Sequence, residues 1–156
     1  MKHILRRALL ALAIATSASG AFANGSHVGA HHNEVSAIGE PGTHATRTFT
    51  VDMADSMRFT PANITAKKGE TIRFVVKNSG KIKHEMVLGT PEMLKEHYAM
   101  MMKMPGMEHA EPNQVTVEPG GTGQIVWRFS KAGQVEFACL QPGHLEAGMK
   151  GSVSVR

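Results

Sequence analysis

From residue 47 onward, short runs of the chain alternate apolar and polar positions, the period-two pattern of half-buried strands. Residues 48–53 read TFTVDM, and residues 57–61 form a shorter extended piece ahead of a turn. Residues 63–66 lead into Lys67-Lys68-Gly69-Glu70, a turn signal. Residues 71–77, TIRFVVK, put Ile72, Phe74 and Val76 on one face. Asn78-Ser79-Gly80 then turns the chain toward a strand over 83–88. Four more strands are expected at 114–117, 123–129, 134–139 and 151–155, with turns at Pro119-Gly120-Gly121 and Lys131-Ala132-Gly133. Seven or eight short strands with frequent turns predict an all-β sandwich. One segment departs from the pattern. Thr90 is suited to cap a helix with Pro91 at its first position and Glu92 in its first turn, running to about residue 102 and stopping before Pro105-Gly106.

The first 46 residues read differently. Lys2, Arg6 and Arg7 form a positive start, residues 8–15 are a short apolar run, and Ala21-Phe22-Ala23 is a small-x-small cleavage site, so residues 1–23 read as a secretory signal peptide. A membrane anchor needs roughly 20 apolar residues, more than this run holds. Residues 24–46, rich in Gly, Ser, Ala and His without periodicity, read as a disordered arm, and residues 47–156 as one folded domain. The expected compartment is the periplasm, with no membrane insertion of the mature chain.

The net charge of +4 follows from 17 basic and 13 acidic residues. Removing residues 1–23 takes away Lys2, Arg6 and Arg7 and no acid, which leaves 14 basic against 13 acidic. A nearly neutral mature chain argues against nucleic-acid binding. The composition is unusual in its 11 Met, 9 His and single Cys; thioethers and imidazoles in such number suggest copper. Cys139 has no intramolecular disulfide partner, so in an oxidising compartment it is either buried and inert or held by a metal.

The stretch from Cys139 through Pro142-Gly143-His144 to Gly148-Met149 places a thiolate, an imidazole and a thioether on one loop between two strands. Pro142-Gly143 and Gly148 let the loop fold back, so the three side chains can face one point. An upstream imidazole is needed to complete a His-His-Cys plane, and His84 is the best placed. Two imidazoles and a thiolate with a weak axial Met149 are the ligand set of a type 1 copper electron-transfer site. Zinc is the rival metal, but it prefers four N, S or O ligands and gains little from a thioether.

The C-x4-H-x4-M spacing with an upstream His resembles the cupredoxins. The loop spacing is similar to that of rusticyanin and differs by a few residues from plastocyanin and azurin. Phe59-x-Pro61-x-x-Ile64 followed by Gly69-x-x-Ile72-x-Phe74-x-x-x-Asn78 also resembles the first half of such a domain. The resemblance covers roughly residues 47–156. It implies a Greek-key β-sandwich with copper near the surface at one end and His144 as the ligand at the solvent edge. Many members carry Asn or Ser after the first His, bonding across to the Cys loop; here the residue is Glu85, which leaves that contact in question.

A second copper-like feature is the tract of Met93, His97, Met100, Met101, Met102, Met104, Met107 and His109. Met93, His97, Met101 and Met104 fall on one helical face. Methionine core filler would explain one stripe; six Met and two His in 17 residues point to an accessory Cu(I) site as well. His27, His31, His32 and His44 in the arm are solvated or collect Cu(II) loosely.

Three functions fit this chemistry. Periplasmic copper-tolerance cupredoxins resemble this chain in pairing a type 1 site with Met- and His-rich sequence, and copper tolerance is the first expectation. A diffusible electron carrier is the alternative. A copper enzyme is disfavoured, because Cys139 is flanked by Ala138 and Leu140 rather than by His, and a second Cys for a binuclear centre is missing; at most a weak cuprous oxidase activity remains. The expected partners are copper ions and a redox or copper-transfer protein, and the expected state is a monomer.

Overall fold

The computed structural model describes residues 37–104 and 110–156. The expected signal peptide, the first part of the expected arm, Met107 and His109 lie outside the described residues. Ten strands and one complete helix lie among the described residues: β1 (Glu40–Pro41), β2 (Arg47–Ala54), β3 (Arg58–Thr60), β4 (Asn63–Ala66), β5 (Thr71–Asn78), β6 (His84–Gly89), α1 (Pro91–Lys103), β7 (Gln114–Val117), β8 (Thr122–Arg128), β9 (Gly133–Ala138) and β10 (Lys150–Val155). The count exceeds the seven or eight expected because the extended piece expected at 57–61 pairs as the 3-residue β3 and because β1, only 2 residues long, lies upstream of the expected domain.

Two five-stranded sheets stack face to face, in the orders β1-β8-β5-β2-β3 and β4-β10-β9-β6-β7. The chain crosses between sheets at β3–β4, β4–β5, β5–β6, β7–β8 and β8–β9, which ties the two layers together. The alternation decides what lies between them. Ile72, Phe74 and Val76 of β5 are fully buried, as are Val51 and Met53 of β2, Trp127 of β8 and Phe137 of β9. Phe59 and Phe137 meet edge to face across the layers with centroids 5.1 Å apart, a contact worth about 1 kcal/mol beyond its buried area.

The boundary expected at Arg47 is corrected upstream. Ile38 is buried, and its carbonyl accepts the Trp127 indole N–H at 3.1 Å. Strand β1 pairs with β8, and the Gly42 and Thr46 amides donate to Val126 and Thr71 carbonyls. Residues 37–46 therefore belong to the sandwich rather than to the arm. One buried Ile among polar residues carries no periodic signal.

Four connections gather at one end. The Asn78 side chain donates to the carbonyls of Ile82 and Val117 and accepts from the Gly80 amide. Ser79 N donates to Met53 O, and Gly120 N to Asn78 O. Arg58 Nη1 donates to Ala147 O at 2.8 Å. The β2–β3, β5–β6, β7–β8 and β9–β10 connections are thus cross-bonded into one platform. No helix among the described residues is long and apolar enough to cross a membrane.

Candidate metal centre

His84 is the first residue of β6 and is fully buried. The Asn78 staple fixes the turn before it, and β6 pairs with β7 and β9 on its two sides. Cys139 follows β9 directly and is also fully buried. The loop after it closes on itself: Cys139 N donates to Met149 O at 3.1 Å, Met149 N to His144 O at 3.0 Å, and His144 N to Gln141 O at 3.0 Å. Gly143 and Gly148 adopt φ of +85° and +92°, the left-handed region that glycine enters without a Cβ penalty. The loop thereby returns His144 and Met149 toward Cys139, as the Pro-Gly and Gly positions suggested.

Three donors converge here. His84 Nδ1 lies 3.2 Å from His144 Nδ1 and 3.9 Å from Cys139 Sγ, and His144 Nδ1 lies 3.2 Å from that sulfur. Bonds like those a zinc ion makes, about 2.0 Å to imidazole and about 2.3 Å to thiolate, would hold donors of a trigonal plane about 3.5–3.7 Å apart. The observed separations bracket that range, so the three side chains fit one metal ion. Of the two imidazoles, His144 is the one that reaches solvent; it is half-buried, whereas His84 is wholly enclosed.

The electrostatics favour a cation. Burial pushes the Cys139 thiol up to about 12 from 9.0, and the charge of Glu85 adds to the rise, while backbone N–H groups of Glu85 and Gln141 oppose it. The thiolate is therefore costly until a metal ion supplies positive charge. His144 is held below its ordinary value, first by burial and then by the neighbouring His84, which keeps its lone pair available.

Residues 45–156 match the family of copper binding proteins, plastocyanin/azurin family. The chain belongs to that plastocyanin/azurin family. The copper-resistant cuproprotein CopI of Rubrivivax gelatinosus is 52% identical to it over 162 residues, covering 99% of this chain and 98% of the relative. CopI of Pseudomonas aeruginosa is 37% identical over 151 residues, covering 77% of this chain and 83% of the relative. Among solved structures, auracyanin B superposes with a TM-score of 0.64 at 19% identity over 76% of this chain and 94% of its own. An auracyanin from Roseiflexus castenholzii gives 0.61 at 21% identity over 72% of this chain and 99% of its own. These two structures share the fold. In a plastocyanin/azurin family member, the His84, Cys139 and His144 cluster is positioned as the type 1 copper ligand set.

Glu85 fills the cross-loop position after all. It is buried, its Oε1 accepts the Leu140 amide at 3.0 Å, and its own amide donates to Cys139 Sγ at 3.4 Å. A carboxylate here makes the strand-to-loop bond that the resemblance assigns to Asn or Ser. Met149 is fully buried at the end of the same loop.

The Met-rich helix divides. Thr90 Oγ1 accepts from Met93 N, and Met93 Sδ accepts from Thr90 N at 3.5 Å, so this thioether completes the helix cap. Leu94 packs with Val87, Ala138 and Leu140, Tyr98 and Leu145 lie against them, and the buried stripe is Leu94 and Met101. It is not the face of Met93, His97, Met101 and Met104. His97 and Met100 are half-buried, whereas Met102 and Met104 are 52% and 41% exposed.

Three residues near the centre carried no signal in the sequence. Asp55 looks like an ordinary turn residue, yet its Oδ1 lies 3.2 Å from His84 Nε2. Tyr98 looks like helix filler, yet its hydroxyl reaches the loop on both sides of His144. Arg58 looks like solvated charge, yet it holds Ala147 O. Each contact joins segments distant in sequence.

Proposed function

We propose that this protein is an exported copper-tolerance protein whose His84, Cys139 and His144 would hold one type 1 copper, with Met149 as a further, weaker ligand. The observation that carries this reading is the convergence of two Nδ1 atoms and one sulfur at 3.2 to 3.9 Å. Such a copper would supply one-electron chemistry between Cu(I) and Cu(II). The chain's part is to hold the donors, exclude water from His84 and Cys139, and leave the His144 edge open to a redox or copper-transfer partner. Likeness to two CopI cuproproteins supports the tolerance role, and the signal-like residues 1–23 support work in the periplasm. A flanking sequence of Ala138 and Leu140, without paired His, supports a binding and redox role rather than an enzymatic one.

The partial exposure of His144 also favours a second reading, a diffusible electron carrier. One experiment addresses each level. Copper-loaded protein should show intense thiolate-to-copper visible absorption that Cys139→Ser abolishes; a colourless loaded wild type would overturn the site. Deletion of the gene should make cells copper-sensitive with respiration unchanged, and the opposite phenotype would favour the carrier.

A further inference from the structure

His84 uses both ring nitrogens. Its Nδ1 faces His144 and Cys139, while its Nε2 lies 3.2 Å from Asp55 Oδ1. Asp55 is not adjacent in sequence; it comes from the β2–β3 turn, in the opposite sheet. Its carboxylate is itself held, because Oδ2 accepts the Lys81 amide at 2.8 Å. The chain leaves room for it at Gly80, where a Cβ would lie 2.0 Å from Asp55 Oδ1. A neutral imidazole that offers Nδ1 to a metal must carry its proton on Nε2. The partner of that proton sets the ring's tautomer, orientation and basicity. Here the partner is an anion rather than a neutral carbonyl.

We propose that Asp55 is a positioning residue of the copper site. It accepts the His84 Nε2–H, turns the Nδ1 lone pair toward the metal, and biases the site toward Cu(II). The inference rests on the type 1 reading above. The negative charge does two separable things. It makes the imidazole a stronger donor, and it favours the dipositive ion over the monopositive one. Both act in the same direction and lower the reduction potential.

The test uses wild type, Asp55→Asn and Gly80→Ala. Asparagine keeps the size of the side chain and removes its charge. The alanine methyl displaces the carboxylate and leaves its charge in place. Cu(II) affinity measured by chelator competition should fall about 10- to 100-fold in Asp55→Asn, with a smaller loss for Cu(I). Each tenfold preferential loss of Cu(II) raises the reduction potential by about 59 mV for one electron. Gly80→Ala should shift the potential in the same direction. In the metal-free wild type, nitrogen NMR should place the His84 proton on Nε2, and Asp55→Asn should weaken that preference. Unchanged potential and Cu(II) affinity in Asp55→Asn, or protonation on Nδ1 in metal-free wild type, would overturn the proposal and leave Asp55 as a cap on the Lys81 turn. A loaded wild type without thiolate-to-copper absorption would instead overturn the copper reading beneath it, a result visible before any variant is made.

Discussion

The Tyr98 hydroxyl accepts the Gly143 amide at 3.2 Å, one residue before His144, and also donates to the Glu146 carboxylate, two residues after it. A single phenol on α1 thus spans the tip of the ligand loop. The Glu146 contact raises the phenol's pKa above its ordinary value, so it stays a donor at neutral pH.

Tyr98→Phe keeps the ring that packs beside Leu94 and removes both bonds. The fold should persist, and copper release into a chelator should be faster by roughly two- to tenfold, the scale of one or two net hydrogen bonds. Stopped-flow measurement of release checks this. An unchanged release rate would mean the loop holds its own shape.

Metal binding should release a proton. At pH 7 the Cys139 thiol, raised to about 12, is protonated in the metal-free chain, while the lowered His144 is neutral. One proton should leave per copper, and apparent affinity should rise about tenfold per pH unit near neutrality. Calorimetry in buffers of different ionisation enthalpy counts the proton. The same shift sets a stability window. A folded-state value above the unfolded one means full stability below pH 9.0, lost as pH climbs toward 12, and a pH series of thermal melts on metal-free protein would show it.

Gly148→Ala should harm both loop and fold. The position has φ of +92°, and a Cβ there would sit 3.1 Å from Arg58 Nη1. Left-handed backbone costs a non-glycine residue about 1–2 kcal/mol. Denaturant unfolding of the metal-free protein should report a loss of that size, together with a changed visible spectrum after loading.

The Met-rich helix tests the accessory role. Replacing Met100, Met102 and Met104 by Leu leaves the buried Met101 and the capping Met93 in place. If these three thioethers bind Cu(I), titration should find more than one equivalent in wild type and fewer in the variant. One equivalent in both would assign the tract to packing and surface.

Most of the framework is legible in the linear pattern, for a physical reason. Strands bury alternate residues, so TIRFVVK announces β5, and Thr90-Pro91 announces the start of α1. The loop ligands Cys139 and His144 are legible too, since they lie close in sequence with glycine between them, and Met149 follows on the same loop. His84 is harder, because its role depends on pairing β6 beside β9. What stays hidden is whatever two distant turns do together. Asp55 reads as one more turn aspartate, and Glu85 as a departure from expectation, until the fold brings the first to an imidazole and the second to a loop amide. The uses of the helix methionines stay illegible, because Met is both filler and ligand and only packing separates the two.

The enclosure of Cys139 bears on the protein's life before it meets metal. Thiol–disulfide exchange proceeds through an accessible thiolate, and this sulfur is neither accessible nor ionised. The metal-free chain can therefore wait among oxidants without cross-linking to a neighbour or accumulating sulfenic acid. The same shielding that makes the sulfur inert to oxidants reserves it for a small cation that enters past His144.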